Sequence, residues 1–225
     1  MAINTTSYSP NGYVTIAGTS YRFKRYSGGG GGYTDCLTFT GETSEFTLAV
    51  GSNGAKEWNG TLYYSTDHNT WNVWDGTAIS SANKKLYLKG KGNTKLETSK
   101  GAHLSLSAKA GCSGNIQTLL DWESPPISIP TIYCYSHMFD GCTNLTTAPE
   151  LPATTLAQSC YFYMFNGCIK LKLSTTQTTE YKTPWRIPSS GTISSEPNGW
   201  NANMLAGTGG TFTGNPSINT TYYGA

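Results

Sequence analysis

The sequence predicts a mainly β protein, and three observations point to this fold class. Only 12% of the 225 residues are charged, whereas Gly (26) and Tyr (15) are abundant, and average soluble proteins carry roughly a quarter charged residues. Short β-branched or aromatic runs recur between Gly, Asn and Asp clusters, as is typical of strands. Segment 134–145 is copied at 160–171, and a period of this size indicates stacked structural repeats.

Residues 1–35 are predicted to form an N-terminal anchoring arm. Runs 13–16 and 21–26 flank a short turn and alternate apolar with polar positions, which predicts a β-hairpin. Five consecutive glycines at 28–32 follow, and such a run behaves as a flexible tether. We expect the hairpin to dock on something other than the next domain; pairing with the next sheet is the alternative. The predicted anchoring side chains are Tyr13, Ile16, Tyr21 and Phe23.

Residues 36–95 are predicted to form a small β-sandwich domain. Several short runs of strand-forming residues lie here at the spacing that sandwiches show. Asp75-Gly76 is a strong tight-turn signal between two of them. The runs are 36–40, 45–50, 60–65, 71–74 and 85–89.

Residues 96–225 are predicted to form the repeat domain. Leu119, Leu145 and Leu171 are spaced 26 residues apart, which predicts one column of leucines and a turn that precedes the two obvious copies. The segment that begins at Met164 is echoed at Met204, 40 residues later. This spacing indicates one period plus about 14 inserted residues before the capping strands at the end of the chain.

Two pairs of cysteines occupy equivalent places in the two copies: Cys134 with Cys160, and Cys142 with Cys168. Buried thiols are the favoured interpretation, because Cys often serves as a small apolar core residue. Stacked turns would place such positions about 5 Å apart, which leaves disulfides geometrically open.

The net charge bears on the class of partner, and the first residues bear on the expected location. A net charge of +2 is too small to favour nucleic acid or an anionic membrane as the main partner, because both need a concentrated basic patch. The first residues lack the basic start and apolar run of a secretory signal. If this is the whole gene product, we expect it to stay in the cytoplasm unless something else exports it.

The sequence offers little that resembles catalytic machinery. The three histidines are predicted in a hairpin turn (His68), between domains (His103) and in the repeat (His137). No Cys-x-x-Cys pair occurs, and the acidic residues show no spacing typical of a catalytic carboxylate pair. We therefore expect a protein that is not an enzyme and that has no cofactor and no metal site.

A binding surface is the more natural expectation, because Tyr and Trp supply large contact faces at low entropic cost. Tyr135 and Tyr161 are identical in the two copies and are predicted to lie in the core. Positions that differ between the copies are better candidates for a solvent-facing surface, if inward and outward positions alternate as in a strand. Together with two tryptophans of the insertion, the predicted binding residues are Ser136, His137, Phe162, Tyr163, Trp185 and Trp200.

The repeated cassette Cys-Tyr-x-x-Met-Phe-x-Gly-Cys-x-x-Leu, followed by Ala-Pro-Glu-Leu-Pro-Ala-Thr-Thr-Leu at 148–156, resembles BspA-like leucine-rich repeats. These repeats occur on bacterial surface proteins and in proteins of phages and prophages of gut bacteria. The resemblance covers residues 36–225. It implies a mainly β fold with an N-terminal hairpin arm, a small β-sandwich and a short leucine-rich-repeat solenoid with capping strands. Two clear copies favour a compact wedge over an extended horseshoe.

The resemblance implies adhesion or recognition at a surface, with no catalytic residues to carry over. Because a virion protein assembles in the host cytoplasm and needs no export signal, we expect a bacteriophage structural protein: a capsid- or tail-attached fibre, spike or decoration. Its expected partners are other virion proteins, through the arm, and a host surface protein or glycan. We expect a homo-oligomer, for which a trimer would be suitable. The alternatives are a fragment of a bacterial cell-surface adhesin and, less favoured, a glycan-active enzyme.

Overall fold

A computed structural model describes residues 13–16, 19–22, 36–51, 58–96, 103–187, 201–217 and 219–225. The chain divides into two compact units, Met1–Gly31 and Gly32–Ala225. The predicted mainly β fold is confirmed: the described residues contain several antiparallel sheets and one short 3₁₀ helix, Ile116–Leu119. The strands are β1 (Tyr13–Ile16), β2 (Thr19–Arg22), β3 (Leu37–Gly41), β4 (Thr47–Val50), β5 (Thr61–Ser65), β6 (Asn72–Trp74), β7 (Ile79–Ser80), β8 (Lys85–Lys91), β9 (Leu104–Leu106), β10 (Ala110–Ser113), β11 (Leu173–Ser174), β12 (Thr183–Ile187) and β13 (Thr220–Gly224).

In the first unit, β1 and β2 form an antiparallel hairpin in which Ile16 lies opposite Thr19. The second strand thus begins two residues before the predicted run, because the pairing extends into polar residues that carry no apolar signal. Only the backbone of β1 and β2 is described, and Phe23 lies outside the described residues. The anchoring role of this hairpin stays a prediction.

In the second unit, five strands form an antiparallel sheet in the order β10-β3-β8-β5-β6, and three more form a sheet in the order β7-β4-β9. Alternate side chains of both sheets, among them Phe39, Leu48 and Leu86, belong to one buried core. Strands β9 and β10 lie beyond residue 95, the predicted end of the sandwich domain. The sheets therefore extend past that boundary, through pairings that local sequence patterns do not reveal.

The two copies of the cassette and the related segment near Met204 lie one on another. We call 132–141, 158–167 and 201–207 layers 1, 2 and 3, and together the stack. The N–H groups of Tyr135, His137 and Phe139 in layer 1 donate hydrogen bonds of 2.9 Å to carbonyl oxygens of layer 2, 25 residues onward. Layer 2 donates to layer 3 in the same way, for example from Phe165 N–H to Met204 O at 2.9 Å.

Within each layer, every second N–H donates to the carbonyl three residues earlier, as Met138 does to Tyr135. The layers are thus coiled into consecutive turns and contain no extended strand. Burial consequently follows a period of four residues, and the alternation assumed from the sequence is wrong. The apolar core side chains of layer 1 are Cys134, Tyr135, Met138 and Phe139, and Cys142, which follows the layer, is also buried.

Like side chains of adjacent layers pack on one another. The rings of Phe139 and Phe165 are stacked with centroids 5.4 Å apart, and those of Tyr135 and Tyr161 with centroids 5.9 Å apart. Both tyrosines are fully buried, which confirms their predicted place in the core. All six cysteines are free and buried, in agreement with the favoured interpretation as thiols.

The column of leucines does not extend back to Leu119. The backbone neighbour of Leu145 is Ala110 in β10, through a parallel bridge. Leu119 is buried at the end of the 3₁₀ helix, where its carbonyl lies against Gly90 of β8. The prediction that Leu119 starts the column is therefore wrong, because a 26-residue spacing does not specify which backbone segments pair.

The end of the chain closes the far side of the stack with a third sheet, in the order β11-β13-β12. The inserted segment supplies β12, in which Trp185 lies opposite Tyr222 of β13. Among the residues that the structure describes, no helix is long and apolar enough to cross a bilayer.

Candidate functional site

Four aromatic side chains meet where layers 1 and 2 adjoin: Tyr133, His137, Phe162 and Tyr163, which we call the aromatic cluster. The rings of His137 and Tyr163 are stacked with centroids 5.1 Å apart, and Phe162 lies edge-on to both, at 5.5 Å and 4.5 Å. Tyr133 reaches the Phe162 ring at 6.3 Å. None of the four is fully buried, so the cluster presents aromatic surface to solvent.

The backbone beneath the cluster is unusual. Tyr133, His137 and Tyr163 have φ angles of 55°, 56° and 54°, a left-handed conformation that bulky residues seldom adopt. Each such residue costs roughly 1–3 kcal/mol and persists only where surrounding contacts hold it. Hydrogen bonds between layers supply those contacts: His137 N–H donates to Phe162 O at 2.9 Å, and Tyr163 N–H donates to Ala202 O at 3.0 Å.

A polar group borders the aromatic cluster. Asp140 accepts a hydrogen bond from Asn166 Nδ2 at 2.7 Å, and its other carboxylate oxygen lies 2.7 Å from His137 Nδ1. This carboxylate links layer 1 to layer 2 and orients the imidazole. Sequence reasoning missed both Asp140 and Asn166. The available signal was that they occupy the same cassette position with different chemistry.

The structure brings together three of the predicted binding residues, His137, Phe162 and Tyr163. Ser136 is buried, so its prediction as a surface residue is wrong. Trp185 is also buried, and its Nε1–H donates to Pro149 O at 2.9 Å. Its prediction as a binding residue is also corrected, because its ring packs in the core against Phe165 and Tyr222. Trp200 lies outside the described residues.

Two neighbouring residues were missed although the same criterion would have found them. Ile132 and Tyr133 correspond to Gln158 and Ser159 in the second copy, so these positions also differ between copies. Ile132 is 54% exposed and Tyr133 is 37% exposed. Exposed apolar side chains beside aromatic rings are typical of contact surfaces.

The chemistry of the aromatic cluster suits binding. Aromatic faces can stack on sugar rings or protein side chains, while Asp140, Asn166 and His137 offer hydrogen-bonding groups at the border. In the described ranges, no group of three His, Cys, Asp or Glu side chains is placed to hold a metal ion.

The thiols of the stack are poorly suited to nucleophilic chemistry. Burial raises the pKa of Cys134 to about 12 and that of Cys142 to about 11. Burial also raises the pKa values of Cys160 and Cys168. Because the thiolate is the reactive species, these groups act as core residues at neutral pH.

No family model matches this sequence, and neither the curated proteins nor the solved structures contain a match. The fold alone defines the class as a mainly β protein with several antiparallel sheets.

Proposed function

We propose that this chain is a bacteriophage virion structural protein, a capsid- or tail-attached fibre, spike or decoration, that displays a short BspA-like leucine-rich-repeat solenoid for adhesion to a host surface protein or glycan. The observation that carries this proposal is the aromatic cluster. Residues that differ between two otherwise matching copies meet there at the surface of the stack.

The stack supports the solenoid part of the proposal. Its layers are joined by backbone hydrogen bonds with a constant offset, and like rings such as Phe139 and Phe165 form columns. In repeat architectures of this kind, the columns stabilise the scaffold while the remaining surface positions are free to vary. The two sheets of the second unit share a core, which supports a β-sandwich next to the solenoid.

The aromatic cluster supports the adhesive part. Its rings offer stacking faces. At the border of the rings lie the Asp140 carboxylate and the Asn166 carboxamide, which are hydrogen-bonded to each other. One such site would bind weakly. A homo-oligomer, such as a trimer, or many copies on a particle would multiply weak contacts into strong attachment. The N-terminal arm would join the protein to other virion proteins, and its location would be the virion.

Binding to a glycan array and to whole bacterial cells tests the adhesive role. We expect Phe162→Ala and Tyr163→Ala to reduce binding by about tenfold or more, since each removes stacking surface worth about 1.4 kcal/mol. Ile169→Ala is the matched control, because Ile169 is also an exposed apolar residue of the second copy (56% exposed) but is not part of the cluster. Equal binding by all three variants and the parent protein would contradict the proposal.

Immunogold labelling tests the location. Antibodies raised against the chain should decorate phage particles prepared from a culture that produces the protein. Labelling of the bacterial envelope with no labelling of particles would instead establish the alternative, a fragment of a cell-surface adhesin.

A further inference from the structure

A second aromatic arrangement lies on the outer face of the five-stranded sheet, away from the stack's aromatic cluster. The Nζ atom of Lys89 lies 4.0 Å from the ring centroid of Trp71 and 3.7 Å from that of Trp122. We call these three residues the tryptophan clamp. All three are half-buried. Sequence reasoning did not single them out, because they come from separate segments.

The clamp is held by the sheet. Leu86 and Leu88 of β8 are buried in the core, so alternation along the strand places Lys89 on the opposite, outer face. The backbone N–H of Trp122 donates to Gly90 O at 2.9 Å, which fixes the Trp122 backbone beside β8. Trp71 directly precedes β6 and approaches from the other side.

Lys89 differs from Lys91, which lies two residues further along the same face. Lys91 forms ion pairs with Asp121, at 3.3 Å, and with Glu123. Within the described ranges, no oxygen atom accepts a hydrogen bond from Lys89 Nζ. Burial lowers the pKa of Lys89. An ammonium group carries three N–H donors, so donors held between two indole rings remain available to a ligand.

The surrounding charges point to the class of ligand. Lys89 and Lys91 are balanced by Asp121 and Glu123, so the site does not favour a polyanion such as nucleic acid. The space between the rings is occupied by Lys89 itself, which leaves no room for a quaternary ammonium ligand there. A ligand that carries many hydroxyl groups on a ring can use both the donors and the acceptors, and its C–H groups can contact the exposed edges of the indole rings.

We infer that the tryptophan clamp is a second glycan-binding site, in which a sugar ring lies across the solvent-facing side of the clamp. Its C–H groups contact the ring edges of Trp71 and Trp122, and its hydroxyl oxygens accept hydrogen bonds from Lys89 Nζ. The Glu123 carboxylate accepts hydrogen bonds from further hydroxyl groups of the same ligand. This inference deepens the proposed function, because it names the glycan alternative as the ligand class, but it rests on different residues from the aromatic cluster.

The test is a glycan array probed with the full chain and with variants. We expect to find glycans that bind the Trp122→Ala and Lys89→Met variants about tenfold or more weakly than they bind the parent chain, a loss of about 1.4 kcal/mol. Methionine keeps the length and apolar contacts of the lysine stem but removes its donors. Trp122→Phe should retain most of the affinity, because an aromatic ring remains beside Lys89. Val73→Ala is the matched control, since Val73 is a 67% exposed residue of the same sheet.

Thermal unfolding of each variant shows whether the fold is kept, and Trp122→Phe covers the case in which the alanine variant does not fold. The inference is overturned if no glycan binds the parent chain in a manner that depends on Trp122 and Lys89. Loss of binding only in Phe162→Ala would support the proposed function and reject the tryptophan clamp. Loss only in the clamp variants would support the clamp and reject the aromatic cluster.

Discussion

The indole Nε1–H of Trp185 donates a hydrogen bond of 2.9 Å to the carbonyl oxygen of Pro149, a residue 36 positions earlier in the chain. The same indole lies edge-on to Phe165 of layer 2, with ring centroids 6.1 Å apart. The inserted segment thus returns to the repeat that it interrupts. Trp185 therefore joins the closing sheet to the core of the stack.

Replacing Trp185 by Phe should destabilise the protein by about 1–3 kcal/mol, because the buried Pro149 carbonyl would lose its partner. Urea denaturation followed by circular dichroism measures the change. Thr183→Ala, at an exposed position of the same strand, should change the free energy of unfolding by less than about 0.5 kcal/mol. Similar stability of the Trp185 and Thr183 variants would show that the hydrogen bond is unimportant.

Gly90→Ala should severely destabilise the second unit, whereas Gly92→Ala should cost only about 1 kcal/mol. A Cβ on Gly90 would lie 1.8 Å from the carbonyl oxygen of Leu119, so the 3₁₀ helix could not keep its contact with β8. Gly92 has open space around it and a φ of 68°, so an alanine there is destabilising mainly because of the left-handed backbone conformation. Comparison of the two melting temperatures checks this. Equal losses would mean that the close approach at Gly90 is not essential.

The stack thiols should resist modification in the folded protein. Burial raises the pKa of Cys134 to about 12 and that of Cys142 to about 11, against an ordinary value of 9.0. We expect slow reaction of these residues with a thiol reagent at pH 8, and six thiols to titrate in denaturant without reductant. Fewer than six would indicate a disulfide.

The same shifts predict a loss of stability in alkali. Because these folded pKa values are raised, the thiols ionise first in the unfolded chain as pH rises above about 9, and their contribution is lost as pH rises toward 11 to 12. Urea midpoints measured between pH 8 and pH 11 should therefore fall. Cys142→Ala should show a shallower fall than the parent protein.

Asp67→Asn should destabilise the protein at pH 7 and make its stability less dependent on pH in acid. Hydrogen bonds from the N–H groups of Thr70 and Asn69, and from the Ser65 hydroxyl, hold the pKa of Asp67 well below its usual 3.8. With a lowered folded pKa, its contribution is complete above about pH 4 and declines as pH falls further. Urea midpoints at pH 7, 4 and 2.5 should converge between variant and parent. A constant difference across this range would show that the ionised form of the Asp67 carboxylate is not what stabilises the fold. Glu180→Gln, at an exposed position, serves as the control.

Much of the local architecture could be read from the sequence. Strand-forming runs predicted the β3, β5 and β8 segments, since alternate apolar residues such as Leu37 and Phe39 show their pattern over a few neighbouring positions. The matching cassettes predicted that Tyr135 and Tyr161 would be core residues, because identical residues in stacked copies pack on one another. Comparison of the copies also singled out His137, Phe162 and Tyr163, which the structure brings together.

Other features were decided by the tertiary structure. The sequence by itself could not show that β10 pairs with β3, that Ala110 adjoins Leu145, or that Trp185 lies in the core, because these contacts join segments dozens of residues apart. The tryptophan clamp has the same origin, as its three residues come from different segments. Local periodicity records what a residue's chain neighbours do, whereas such pairings depend on which surfaces remain to be buried after the layers and sheets have formed.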